Sequence, residues 1–237
     1  MLADSLYFAR QVRAAYQSSP QRGAAFAAKG VQKFPKNEEF WWLRARAERA
    51  SGQLQPAQVS VQRLLALNPK YPNANVLLGQ LFLETNMVDS AVALARRAVA
   101  SGEDAKTWGN FLLAPAKVAV DKAGASAKDS VKMRDGTAVA DWAAAMALSM
   151  EADKLSPSAT SKFFVGVSSF SIGIDAVINA QKSKNCALAK KGQDMFLLTQ
   201  TNMPAGGSID PATARQVLGY VAQYAPAADQ MAKQYCK

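Results

Sequence analysis

The sequence predicts an all-α chain of stacked helical hairpins. Its first observation is an internal echo. The series Trp41, Ala45, Gly52, Ala57, Val61, Leu64 and Asn68-Pro69 is followed at matching offsets by Gly79, Asn86, Ala91, Ala95 and Ala98, with 34 residues from Ala57 to Ala91. Phe8, Ser19, Ala24, Ala28 and Val31 precede Trp41, Gly52, Ala57, Val61 and Leu64 by 33 residues each. A period of that size is one hairpin whose apolar face is buried only against its neighbours. The second observation is composition: alanine and leucine dominate while strand formers are scattered. The third is punctuation. No Asn-Gly or Asp-Gly turn separates alternating apolar runs, and Asp135-Gly136 lies between polar and Ala-rich helical stretches. With 49% hydrophobic and 19% charged residues over 237 positions, the chain has the make-up of a folded protein.

The first hairpin is expected from about Ala3 to Lys33. Leu6, Tyr7, Phe8, Val12 and Tyr16 lie on its opening helix, Ser18-Ser19-Pro20 breaks it, and Ala24, Ala28 and Val31 lie on the return helix before Pro35. The second starts at Asn37, a cap, with Glu38 and Glu39 in the first turn, where the helix dipole favours anions. Gly52 turns the chain, and Pro56 sits in the first turn of the return helix, where its missing donor costs nothing. Asn68-Pro69 ends that helix. A third hairpin spans roughly Asn73 to Ser101, turning at Asn86 and stopping at Gly102.

These offsets resemble tetratricopeptide repeats. A bulky residue opens the first helix (Phe8, Trp41), a small one sits mid-helix (Ala45, Gly79), and a turn residue follows (Ser19, Gly52, Asn86). A small residue then opens the second helix (Ala24, Ala57, Ala91), with Val31, Leu64 and Ala98 further on. The third unit departs from the pattern at Asn75, where a bulky residue is expected, and at Glu103, where a proline closes the other units. The resemblance implies a right-handed helical-hairpin solenoid with repeats at 3–35, 37–70 and 72–104. It also implies a partner-binding scaffold, of the sort bacteria export to the periplasm.

After Gly102 the register loosens. The stretch from Trp108 to Val120 reads as a helix bent at Pro115, and Gly124 to Gly136 as a linker holding at most a short helix. Thr137 to Leu155 reads as a helix stopped by Ser156-Pro157. Phe163, Gly166, Phe170 and Gly173 then mimic the first helix of a degenerate repeat, with Ala176 to Lys182 as a shortened second helix. A capping hairpin, Cys186 to Asn202 and Pro211 to Cys236, follows around Pro204-Ala205-Gly206-Gly207, and Ala225-Pro226 is expected to kink its second helix. The expected domains are therefore a repeat region over 1–122 and a helical C-terminal region over 123–237.

The net charge is +10, of which +7 falls in residues 1–122 and +3 in 123–237. Such a surface attracts acidic peptides, anionic polymers or anionic lipid, and fixes nothing about fold. No nucleic-acid motif appears, so nucleic acid is not an expected partner. Cys186 opens one expected helix and Cys236 closes the next, so an antiparallel hairpin brings them together as a disulfide; two unrelated buried thiols are the alternative. A bridge implies an oxidising, exported location with Met1 standing after a removed leader, whereas unpaired thiols imply the cytoplasm. Leu2-Ala3-Asp4 is not a leader. The most apolar stretch, Phe163 to Ile174, reads as a core helix too short to cross a bilayer, so no transmembrane segment is expected, while peripheral envelope association stays open.

Catalysis finds no support. There is no histidine, nucleophile elbow, phosphate loop, dinucleotide fingerprint or paired-cysteine zinc spacing, and no metal or cofactor is expected. Glu38-Glu39 and Glu103-Asp104 are adjacent carboxylates that point apart on a helix. What remains is the concave wall that the resemblance implies, lined by the first helix of each hairpin. That face carries Arg13 and Tyr16, then Trp42, Arg46 and Arg49, then Val76, Gln80 and Leu83. Trp42, Arg46 and Arg49 share one stripe, and Trp and Arg dominate binding energy where they are buried at contacts. The expected partner is an acidic peptide or subunit with apolar anchors. Two alternatives stand beside this: the arginines are the solvated face of an amphipathic helix, with Trp41 rather than Trp42 in the core, or the basic face holds anionic cell-wall polymer or lipid. The asparagines and lysines of the carboxylate-clamp subtype are missing, so co-chaperone activity is not implied. Trp142, Phe163, Phe164 and Phe170 read as packing residues, with a small-ligand cavity as the alternative.

Overall fold

The structure, a computed structural model, describes residues 2–236. Among the described residues there are twelve helices and no strand, so the chain is all-α. Met1, on which the expectation of a removed leader bears, lies outside the described residues. The chain divides into two compact units, one ending at Gly102 and one beginning at Glu103.

The first unit holds three hairpins: α1 (Leu2–Ser18) with α2 (Pro20–Lys33), α3 (Glu38–Ala50) with α4 (Leu54–Leu67), and α5 (Ala74–Glu84) with α6 (Val88–Ala100). Each helix packs on the next, and α1 also touches α3. The ends of these helices follow from local chemistry. Asn37 accepts from the Glu39 amide at 3.0 Å and starts α3. Gly52 and Asn86, at φ +78° and +59°, make the equivalent left-handed turns of the second and third hairpins. Ser19 behaves differently from those two. It is extended at φ −162° and caps α2 through the Arg22 amide, because Pro20 pushes the preceding residue out of helical space. Small residues sit where helices approach closely, with Ala45, Ala57, Ala91, Ala95 and Ala98 all buried. The bulky residue of the first interface is Phe40, not Trp41. Phe40 is wholly buried and lies against Gly30, where an added Cβ would meet its ring at 2.7 Å. Phe34 stacks on it at 5.4 Å and Phe8 meets it edge-on at 5.9 Å. Trp41 stays at the margin of this cluster because its indole N–H needs an acceptor, which it finds in the Pro35 carbonyl at 2.8 Å.

The second unit contains α7 (Ala105–Ser126), α8 (Ser130–Arg134), α9 (Thr137–Leu155), α10 (Ala159–Ser183), α11 (Cys186–Gly206) and α12 (Pro211–Tyr235). The domain boundary expected at residue 122 falls inside α7, which packs along α9 and belongs with it. The expected degenerate repeat is replaced by one continuous 25-residue helix, α10, because nothing between Ile174 and Ala176 breaks helical geometry. The expected loop at Pro204-Ala205-Gly206 is instead the last turn of α11, and the true turn is Gly207 to Asp210. The helix α12 runs on through Pro226.

The α10–α11 hairpin is antiparallel. Phe163 lies against Gly206, Gly166 against Met203, Gly173 against Phe196 and Val177 against Gly192. Glycines let the two backbones approach closely, and Ser169 and Thr199 share a buried hydroxyl hydrogen bond of 2.9 Å at the middle. Trp142 and Phe164 are buried, and Phe170 stacks on Tyr220, so these aromatics pack as expected. The length expectation for the apolar stretch is corrected. The 25-residue helix α10 contains an 18-residue stretch of mean hydropathy 1.5, long and apolar enough to cross a bilayer, and 56% of that stretch is buried inside the protein.

Candidate functional site

A trough of about 530 Å³ opens on the first unit, lined by Tyr16, Trp42, Arg46, Arg49, Ala50, Asn73, Val76, Leu77, Gln80 and Glu84. Its walls are the first helices of the three hairpins, α1, α3 and α5, with the residue that caps α5. Of the residues singled out in the sequence, Tyr16, Trp42, Arg46, Arg49, Val76 and Gln80 line it together. Arg13 and Leu83 do not.

Helical spacing explains the arrangement. Trp42, Arg46 and Arg49 lie on one stripe of α3, while the opposite side of α3 buries Phe40, Ala47 and Glu48. The indole of Trp42 is half-buried and tilts on the Tyr71 ring at 5.6 Å. Burial pushes the Tyr71 hydroxyl above its ordinary value, helped by the negative charges of Glu39 and Glu38 and opposed by Arg13. The guanidinium of Arg46 lies between two rings, 5.8 Å from the centre of Tyr16 and 5.9 Å from that of Trp42.

Arg49, the other arginine of the trough, and Arg13, outside its lining, are both neutralised within the protein. Arg49 donates through Nε and Nη2 to Glu84 Oε1 at 3.0 and 2.5 Å, and through Nη1 to Gln80 Oε1 at 2.6 Å. Arg13 forms an ion pair with Glu39. Among the described residues, Arg46 alone of the three has no carboxylate partner. Arg44, on another face of α3, pairs at 2.7 Å with buried Glu48 and covers the Trp41 ring, so it contributes nothing to the trough. Glu48 also accepts from Ser60 at 2.6 Å, which ties α3 to α4.

Several lining residues escaped the sequence reading. Glu84 was visible as the residue one turn after Gln80, on the same stripe of α5. Asn73, and Tyr71 behind Trp42, sit in a connection between hairpins, where helical periodicity gives no signal. In the second unit, Cys186 and Cys236 are joined in a disulfide with Cα atoms 4.9 Å apart, anchoring the end of α12 to the start of α11. Among the described residues, no group of acidic, histidine or cysteine side chains is arranged to hold a metal ion.

The tetratricopeptide repeat family matches residues 48–110, from the last turn of α3 through α6 into α7. Over that segment, about a quarter of the chain, the sequence is similar to tetratricopeptide repeats. The first hairpin precedes the matched segment, yet it continues the helix-to-helix packing of the repeats. No curated protein sequence matches the chain. Among solved structures, the MamA RS-1 ArsTM double mutant is similar at 14% identity over 83% of this chain and 95% of its own, with a TM-score of 0.46. The TPR domain of P58(IPK) is similar at 12% identity over 98% of this chain and 66% of its own, with a TM-score of 0.47. TTC0263, a thermophilic TPR protein of Thermus thermophilus, is similar at 13% identity over 100% of this chain and 97% of its own, with a TM-score of 0.30.

Proposed function

We propose that the protein is a non-enzymatic interaction scaffold whose repeat unit captures an acidic peptide segment in the trough between α1, α3 and α5. The observation that carries this reading is Arg46, a cation held between Tyr16 and Trp42 without a carboxylate of its own. A guanidinium in that setting keeps donors free for an incoming carboxylate, and the aromatic rings fix its orientation before the partner arrives. Val76 and Leu77 give the same trough an apolar floor for a neighbouring side chain of the partner. The disulfide supports a further part of the reading, that the protein works in an oxidising compartment such as the periplasm.

The test is capture of acidic peptides by the wild-type protein and by the Trp42→Ala, Arg46→Ala double variant, each at low and high salt. Affinity is expected to fall by at least about tenfold in the variant, since truncated Trp and Arg anchors account for most such losses. Wild-type capture is expected to keep most of its strength as salt rises. Binding that survives both substitutions and collapses with salt indicates attraction of anionic polymer or lipid to the +10 surface instead.

A further inference from the structure

The trough is far less basic than its arginines imply. Carboxylates occupy Arg49, which lines the trough with Arg46, and Arg13, which lies outside the lining. Glu39, one turn before Trp42 on α3, holds Arg13 of α1. Glu84, at the end of α5, holds Arg49 of α3 through two nitrogens while Gln80 takes a third. In both pairs, one hairpin supplies the arginine and the following hairpin supplies the acid.

We propose that Glu84 is a specificity-determining residue: by occupying Arg49 it restricts the trough to partner segments that present one side-chain carboxylate, taken by Arg46, beside an apolar anchor. This rests on the peptide-capture reading above. Arg46 and Arg49 lie three residues apart on α3, about 4.5 Å along its axis. An extended peptide places alternate side chains on one side at about 6.5–7 Å, a separation that long Arg and Glu side chains span. A partner with Glu at alternate positions would therefore reach both arginines if both were available. With Glu84 in place, the second carboxylate meets a guanidinium whose charge is already neutralised and a like charge beside it, so it is repelled. Specificity of this type comes from an element that penalises the wrong ligand, not from an added attraction for the right one.

Two short, C-terminally amidated peptides test this. Both carry an apolar anchor next to one Glu, and one of them carries a second Glu two positions on. The wild-type protein is expected to bind the two-carboxylate peptide about twofold to fivefold more weakly than the other, because Glu84 repels its second Glu. Glu84→Gln keeps the shape and removes the charge. It is expected to bind the two-carboxylate peptide about fivefold tighter than the one-carboxylate peptide, the scale of a partly exposed bidentate ion pair. Adding Arg49→Gln should erase that gain. A wild-type protein that already favours the two-carboxylate peptide fivefold overturns the proposal without any variant, as does a folded Glu84→Gln protein that gains nothing. Failure of the wild-type protein to bind either peptide overturns the peptide-capture reading itself.

Discussion

Arg46 shows how much a residue's role depends on what its neighbours have already claimed. Arg13, Arg44, Arg46 and Arg49 look alike in the sequence, yet three of them are paired with Glu39, Glu48 and Glu84. Asp141 follows the opposite course. It is 9% exposed, and the Lys122 ammonium at 2.7 Å, with the Ser126 hydroxyl at 2.6 Å, holds its carboxyl below the ordinary value. Folding therefore favours the charged form. As pH falls toward about 3.9, the unfolded chain takes up the proton first. The stability that this group contributes at neutral pH is then lost as pH continues down through its folded value. Asp141→Asn should remove that contribution at neutral pH and flatten the acid limb of a stability profile measured by urea unfolding between about pH 6 and pH 3. A profile as steep as that of the wild type would show that Asp141 carries none of the acid sensitivity.

At the scale of elements, close approach governs the α10–α11 pair. A Cβ on Gly206 would lie 2.5 Å from the amide nitrogen of Phe163 and 2.6 Å from its Cα. Backbone cannot step aside as a side chain can, so Gly206→Ala should lower stability by about 1–3 kcal/mol, read as a reduced melting temperature. Alanine at Gly219, where a Cβ meets nothing within 4 Å, is the matched control and should be neutral or slightly stabilising. The same tight seam explains how an apolar helix long enough for a bilayer is accommodated here. Helices α9, α11 and α12 pack on α10 and bury 56% of its most apolar 18-residue stretch.

At the scale of the molecule, the two units are stabilised by different means. The first depends on hairpin stacking with small residues and the Phe40 cluster. The second adds a covalent tie between residues 50 positions apart, and closing a loop of that length contributes about 4 kcal/mol in the chain-entropy model. Reduction should therefore lower the melting temperature of the second unit and leave acidic-peptide capture by the first unchanged. Calorimetry paired with peptide titration, with and without reductant, reads both quantities. Loss of capture on reduction would show that the trough depends on the disulfide-bonded unit.

The all-α class, the three hairpins and the turn positions at Gly52, Asn86 and Gly102 were legible in the sequence because they are written in local chemistry: period, caps and left-handed residues. The stripe of α3 was legible for the same reason. Tertiary structure alone decided that Phe40 rather than Trp41 fills the core, and that Arg13 and Arg49 are occupied while Arg46 is not. Those outcomes depend on which side chains from different hairpins meet in space. Helical periodicity orders residues along a single helix and carries no information about that meeting.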